Sequence, residues 1–299
     1  MGAPCAGATL FHLGELVSAR AHLEQSIALY DPQQHCSHAF LYGQDPRVTC
    51  LSFAACTLWW LGYPDQALQK SREALTLAQG LSHPHSLAFA LGFAAAWLHQ
   101  YRHEVPLTYE WAEATFRLST EQGFAFWINW GTILRGWALV EQGQGQEGIV
   151  QIRQGLDTFR SMREEFAQTY YLALLAEAYG IVGQAKEGLI ALAEALAAVD
   201  NTGERFYEAE LYRLKGQLTL QKFQVSGSRF QVKDSSESGV RSSESEAEEC
   251  FLKAIEVARR QSAKSWELRA AISLSRLWQQ QGEERGSPVD VGGDLWLVH

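Results

Sequence analysis

The stretch from Gln168 to Val199 constrains the fold more than any other part of the sequence. It holds two helical hydrophobic patterns joined at Gly183, and small residues recur on both helices. A helix pair with apolar residues on both flanks cannot cover its own hydrophobic surface, so it must stack on similar pairs. We therefore predict an array of helix pairs.

Copies of this pair recur along the chain with a period of about forty residues. The first helices align on small residues, namely Gly7, Ala55, Ala95, Gly136, Ala176, Gly216 and Ser275. The second helices align on Ser26, Ala74, Ala114, Gly155, Ala195 and Ala254. The turns between them align on Gly14, Gly62, Arg102, Gly143 and Gly183. Small residues let helices approach closely, and glycine suits the left-handed residue that often ends a helix.

The proline pattern agrees with an all-α fold. Of the seven prolines, only Pro288 lies after Pro106, and the long interval between them permits near-continuous helix. No run shows the sustained alternation of a half-buried strand. We expect residues 1–282 to form an all-α, right-handed solenoid of about six and a half helix pairs.

Two segments depart from the repeat. Residues 224–245 hold serines interleaved with charged residues, a composition that cannot bury enough apolar surface to order itself. We predict a flexible Ser-rich loop within the sixth pair. Residues 283–299 lack the pattern and are expected to be a diverged or disordered tail. The pattern is interrupted at both ends, as in a fragment of a longer protein or a chain with a diverged C-terminus.

Composition favours a globular protein. Of 299 residues, 46% are hydrophobic, which suffices for a buried core. A net charge of −9 argues against a nucleic-acid partner, because phosphate neutralisation needs clustered Lys and Arg. Five cysteines without CxxC spacing are typical of buried thiols in a reducing compartment. Without a secretory signal or a long apolar run, we expect a cytoplasmic protein with no membrane partner.

The segment from Gly143 to Gly148 matches the GxGxxG pattern of dinucleotide sites. Such a site requires a preceding strand, whereas the residues before Gly143 have a helical pattern. Its glycines occupy the repeat positions of Gly183 and Gly188, so we interpret them as turn and packing residues. The sequence has no HExxH, GxSxG or Walker A lysine, and its histidines are scattered. We expect no catalytic residue, cofactor or metal.

Segments Leu58–Ala74 and Leu175–Ala195 resemble tetratricopeptide repeats, although the period exceeds the family's roughly 34 residues. A more specific resemblance is to the C-terminal repeat region of bacterial signalling proteins that join a nucleotidyl cyclase, an ATPase module and a tetratricopeptide tail. The segments that carry it are LGYPDQALQKSREALTLAQ, SLAFAL, GTILRGWALVEQGQG and TGERFYEAELYRLKGQL. This resemblance implies a non-catalytic scaffold whose partner is a protein segment or its own ATPase and cyclase domains.

In tetratricopeptide superhelices the first helices line a concave groove. Polar residues beside aromatic residues on those helices suit a peptide. The predicted groove residues are Cys56, Trp59, His99, Trp137, Glu141, Glu177, Arg213, Gln217, Arg269 and Arg276. Two alternatives stay open at this point: the tryptophans can be core residues and the polar side chains a solvated face. A further alternative is a small-molecule sensor in which Trp137 closes over a ligand.

Overall fold

A computed structural model describes residues 3–31, 38–227 and 236–282 of the chain. Within these ranges the regular secondary structure is helical and contains no strand. The all-α repeat fold predicted from the sequence is therefore confirmed. None of the described helices is long and apolar enough to cross a membrane. The chain divides into two compact units, Met1–Ala167 and Gln168–His299, although the repeat pattern runs through Ala167 without a break.

The helices of the first unit form four consecutive pairs and include a π-helical segment. They are α1 (Ala3–His12), α2 (Leu16–Ala28), α3 (His38–Tyr42), α4 (Pro46–Trp60), α5 (Pro64–Gly80), α6 (Pro84–Phe89), the π-helix (Ala90–Trp97), α7 (Leu98–Tyr101), α8 (Val105–Gln122), α9 (Ala125–Glu141) and α10 (Gly145–Met162). Segments α6, π-helix and α7 are continuous and together make the first helix of the third pair. The short α3 lies between the first and second pairs.

The second unit continues the same alternation of first and second helices. Its helices are α11 (Gln168–Ile181), α12 (Ala185–Thr202), α13 (Glu208–Gly227), α14 (Ser236–Arg260) and α15 (Lys264–Gln280). The first helices α11, α13 and α15 contact one another in sequence order. This stacking places their exposed faces side by side.

Proline marks helix starts in the first unit. Pro46, Pro64 and Pro84 each begin a helix, where the missing N–H removes no intrahelical hydrogen bond. Asp45 caps α4, and its carboxylate accepts hydrogen bonds from the backbone N–H groups of Arg47 and Val48 at 2.9 and 3.0 Å. These three prolines thus open helices and leave the helix interiors intact.

The turn of the third pair lies one residue later than predicted. The other aligned turn residues have positive φ angles, for example 87° at Gly143 and 78° at Gly183. In the third pair His103 has the positive φ, 57°, whereas Arg102 is right-handed helical. The next helix shifts accordingly: Thr108 is buried, while Leu107 is 40% exposed. The predicted alignments on Arg102, Ala95 and Ala114 are therefore wrong by one position.

The π-helix accounts for this offset. A π turn accommodates one extra residue within a helix, which shifts every later position along the chain. Two of its carbonyl oxygens also accept hydrogen bonds from side chains of neighbouring helices. The indole Nε1 of Trp130 donates to the carbonyl of Gly92 at 3.2 Å, and the Cys56 thiol donates to the carbonyl of Phe93 at 3.7 Å.

Small residues hold the helices of each pair close together. A Cβ atom added to Gly136 would lie 2.7 Å from the carbonyl oxygen of Gly148, and one added to Gly148 would lie 2.3 Å from the carbonyl oxygen of Gly136. The GxGxxG match therefore begins in the turn between α9 and α10 and continues into α10, and the interpretation of Gly143 as a turn residue and Gly148 as a packing residue is confirmed.

The Ser-rich loop predicted for residues 224–245 is wrong at both ends. Helix α13 continues to Gly227 and α14 begins at Ser236. The buried positions Ser243, Ala247 and Cys250 recur at helical spacing, so α14 has a packed face that extends into the predicted loop. Residues 228–235 and the predicted tail, residues 283–299, lie outside the described residues.

Candidate functional site

Two positions recur on one face of the first helices, thirteen and six residues before the turn residue. We call them the A row and the B row. In the second unit the A row contains Tyr170, Glu210 and Arg269, and the B row contains Glu177, Gln217 and Arg276. The rows are two helical turns apart, so each helix presents both residues on the same side.

The residues of the B row are mostly buried in the first unit and more exposed in the second. In the first unit Ala8 is half-buried, and Cys56, Trp97 and Trp137 are completely buried. In the second unit Glu177 is half-buried, and Gln217 and Arg276 are exposed. The same repeat position is thus part of the core in one unit and a polar surface in the other.

Aromatic rings fill the first unit at this face. Phe11 stacks on Trp60 with ring centroids 4.6 Å apart, and Phe93 stacks on Trp130 at 4.5 Å. Phe166 follows α10 and packs edge-on against His12 at 4.7 Å. These contacts join side chains from α1, α4, the π-helix and α9. The first unit therefore uses this face for packing.

The predicted groove tryptophans belong to this packing. Trp137 is 0% exposed and packs edge-on against the ring of His103, with centroids 5.4 Å apart. Its expected role as an exposed groove residue that closes over a ligand is therefore wrong. Trp59 is almost completely buried and stacks on Tyr101 at 5.4 Å. Of the two alternatives considered for these tryptophans, the core assignment holds.

The polar groove candidates of the first unit make polar contacts around the turn of the third pair. His99 Nδ1 bonds to Glu104, and Arg102 Nη2 lies 2.9 Å from the same carboxylate. His103 Nε2 lies 3.3 Å from Glu141 Oε2. Burial opposes ionisation of Glu104, but hydrogen bonds from Arg102 and His99 outweigh it and lower its pKa. His99 and Glu141 thus have local partners that tie the turn to the helices.

The second unit has an ion-pair network that joins residues of its A and B rows through the buried Arg213. Arg213 donates from Nε and Nη2 to the two carboxylate oxygens of Glu210, both at 2.7 Å, and from Nη1 to Gln217 Oε1, also at 2.7 Å. Arg269 Nη1 donates to Glu210 Oε1 at 3.2 Å. Glu210 is only 2% exposed, so one buried carboxylate fixes two arginines from α13 and α15.

The network remains charged. Burial opposes ionisation of Glu210, but Arg213 and Arg269 outweigh it and lower its pKa. Burial likewise opposes protonation of Arg213, but Glu210, and to a lesser extent Glu177, raise its pKa. Burial, together with Glu210, raises the pKa of the nearby Tyr207 well above 10.0. The tyrosine is therefore neutral and the carboxylate and guanidinium groups are ionised at neutral pH.

Positive charge is exposed at the α15 end of this face. The side chain of Arg269 is 29% exposed, and its guanidinium carbon lies 5.1 Å from the ring centre of Trp266. Arg276 is exposed and forms no ion pair with the described residues. Arg213 was expected to contact a partner directly, but it is buried. It supports Gln217. The exposed groups are Gln217 and Arg276, and the half-buried ones are Glu177 and Arg269.

Sequence reasoning missed Glu210, the centre of the network. The signal was present, because Glu210 and Gln217 are seven positions apart on α13, as Arg269 and Arg276 are on α15. An acidic residue opposite arginines at a repeat position predicts an ion pair between stacked helices.

The cysteine and histidine residues gather no metal site in the described parts of the chain. There, no three His, Cys, Asp or Glu side chains lie close enough together to hold an ion. Cys50, Cys56 and Cys250 are buried free thiols, and burial raises the pKa of Cys56 and Cys250. His35 and Cys36 lie outside the described residues.

The chain resembles known proteins more closely in fold than in sequence. No family model matches the sequence. An uncharacterized protein from Rhizobium meliloti (strain 1021) is 23% identical over 212 residues, which are 71% of this chain and 20% of that protein. The chain thus spans a fifth of the length of this curated relative.

Solved structures show the same architecture at low identity. The human IFIT1 dimer with m7Gppp-AAAA has a TM-score of 0.59 at 16% identity, covering 98% of this chain and 58% of the IFIT1 chain. The apo form of RapI has a TM-score of 0.50 at 14% identity, covering 92% of this chain and 96% of RapI. The chain therefore has a tetratricopeptide-like, all-α helical-repeat fold.

Proposed function

We propose that the chain is a non-catalytic protein-interaction scaffold that holds a protein segment on the B row of its second unit and on the neighbouring Arg269. The observation that carries this proposal is the change in the B row, from the buried Trp97 and Trp137 to the exposed Gln217 and Arg276. An accessible polar face on rigid, stacked helices is a suitable surface for a peptide.

The buried network favours binding because it fixes the accessible groups in advance. Gln217 is held by Arg213, and Arg269 is held by Glu210 and packs against Trp266. A partner then loses little side-chain entropy when it binds to these groups, so more of the interaction energy contributes to affinity. Arginine beside a buried aromatic ring is also typical of residues that dominate interfaces.

The proposed context is the regulatory repeat region of a bacterial signalling protein of the ATPase and adenylate cyclase type. The resemblance of segments such as TGERFYEAELYRLKGQL to the repeat tails of those proteins supports it. The relative from Rhizobium meliloti, of which this chain covers 20%, is compatible with a repeat region inside a longer protein. The partner would then be a cytoplasmic protein or the ATPase and cyclase domains themselves.

The likeness to IFIT1, solved with m7Gppp-AAAA, raises RNA as another occupant. The net charge of −9 and the acidic Glu177 within the B row favour a protein instead, because RNA binding requires clustered positive charge.

Affinity capture with matched variants tests the proposal. Arg276→Glu reverses the charge of an exposed residue in the B row, and Arg153→Glu makes the same change on the exposed face of α10. We expect Arg276→Glu to lose a partner protein that wild type and Arg153→Glu both retain, with unchanged helical circular dichroism. Equal recovery by the two variants would exclude this face.

A further inference from the structure

Arg269 and Arg276 lie on the same face of α15, seven residues apart. The helical rise of about 1.5 Å per residue separates their attachment points by about 10 Å. Both side chains reach solvent, and neither belongs to the packed core. The two arginines therefore present two cations whose attachment points on α15 have a fixed spacing.

A peptide in the polyproline II conformation matches this separation over three residues, because it advances by about 3.1 Å per residue and has three residues per turn. Two acidic side chains at positions i and i+3 of such a segment lie on the same side and would therefore align with the two arginines. Guanidinium groups bind carboxylates through paired N–H donors, which makes such contacts specific as well as strong.

The charges of the second unit favour an acidic ligand at this end of the face. Glu210 and Glu177 are the carboxylates of the A and B rows, and Arg213, Arg269 and Arg276 are the nearby cations. Because Glu210 is buried between Arg213 and Arg269, the exposed charge at α15 is positive. The carboxylate of Glu177 lies on α11. It therefore disfavours acidic ligand residues at the α11 end of the face.

From these positions we propose that Arg269 and Arg276 select an acidic segment in the polyproline II conformation with two carboxylates spaced i and i+3. This inference rests on the proposed binding function and names the partner chemistry. Gln217 occupies the B-row position beside Arg276, where its side-chain amide can donate to a carbonyl oxygen of the bound backbone. Arg213 positions Gln217 and makes no direct contact.

Peptide binding to the full chain tests this inference. The probes are fluorescein-labelled Gly-Ser peptides with two Glu residues, either at i and i+3 or adjacent, at equal length and charge. We expect fluorescence anisotropy to show about fivefold tighter binding of the i, i+3 peptide, and weaker binding at high salt. Equal affinities for the two peptides would overturn the spacing rule.

Charge reversal gives a second readout. Arg276→Glu should weaken binding of the i, i+3 peptide about tenfold, whereas Arg153→Glu should leave it unchanged. A peptide with Lys in place of one Glu should bind Arg276→Glu better than it binds wild type. Absence of this rescue would contradict a direct contact at Arg276.

The result separates this inference from the proposed function. If acidic peptides do not bind but affinity capture still depends on Arg276, the face binds protein and the acidic specificity is wrong. If capture is also insensitive to Arg276→Glu, both proposals fail. Tighter binding of a single-stranded RNA oligonucleotide than of either peptide at physiological salt would also overturn the inference.

Discussion

Arg213 donates two hydrogen bonds of 2.7 Å to Glu210, and this buried pair is the foundation of the exposed face of the second unit. Arg213 also holds Gln217, and Glu210 also holds Arg269. Charge that is buried and paired in this way costs desolvation energy and gives little net stability compared with apolar packing. Its contribution here is the orientation of the groups above it.

Removing the carboxylate should destabilise the second unit strongly. Glu210→Ala leaves Arg213 buried without its principal counter-charge, which we expect to cost about 3–5 kcal/mol in the free energy of unfolding. Urea denaturation followed by circular dichroism measures the change. Glu256→Ala removes an exposed carboxylate paired with Lys253 and should cost less than about 1 kcal/mol. Similar losses in both variants would contradict the network.

The same pair predicts sensitivity to acid. The pKa of Glu210 is lower in the folded chain than its ordinary value of 4.5, so its ionisation stabilises the fold above that value. This contribution is lost as the pH falls through the lowered pKa. We expect the urea midpoint of wild type to fall more steeply between pH 6 and about pH 3 than that of Glu210→Gln. Parallel pH profiles would contradict this prediction.

The contact between Gly136 and Gly148 predicts a packing defect on α10. Gly148→Ala places a methyl group 2.3 Å from a backbone oxygen, and moving the helices apart should cost about 1–3 kcal/mol. Gly80→Ala, at the end of α5, meets nothing within 4 Å and should be neutral or slightly stabilising. Thermal unfolding compares the two, and a wild-type midpoint for Gly148→Ala would show that the helices pack differently.

The hydrogen bond from Trp130 to the π-helix predicts that replacing this tryptophan by phenylalanine lowers the free energy of unfolding. Trp130→Phe removes the N–H that donates to the buried carbonyl of Gly92, together with part of a buried ring. We expect a loss of about 2–4 kcal/mol in unfolding free energy, because a buried hydrogen bond is lost and a cavity is left. Trp278→Phe changes a partly buried indole that bonds to Glu248 and should cost less. Equal costs would argue against the π-helical hydrogen bond.

The repeat architecture could be predicted from sequence because helix packing depends on small residues and turns at fixed spacing. The position of the third turn could not, because one extra residue in the π-helix changes the register without changing the hydrophobic pattern. The helix from Ser236 was missed for a different reason. Exposed residues such as Ser245 and Glu246 alternate with a packed face, formed by Ser243, Ala247 and Cys250, that the sequence alone does not reveal.

The exposure of the candidate site residues could not be predicted from the sequence either. Trp137 and Gln217 occupy equivalent repeat positions, and periodicity predicts that both point to the same side. Trp137 is buried and packs against the ring of His103, whereas Gln217 is exposed and accepts a hydrogen bond from Arg213. Which repeats form an open face depends on the side chains that surround each position, and these become neighbours only in the folded chain.

Site-specific photo-crosslinking tests the central claim that the B row of the second unit contacts a protein partner. A benzophenone side chain replaces Gln217 in one variant and Gln154, an exposed residue of α10, in another. We predict a discrete crosslinked protein adduct from position 217, lost on adding Arg276→Glu, and no such adduct from position 154. Adducts of equal yield at both positions, or an adduct only at 154, would contradict the claim.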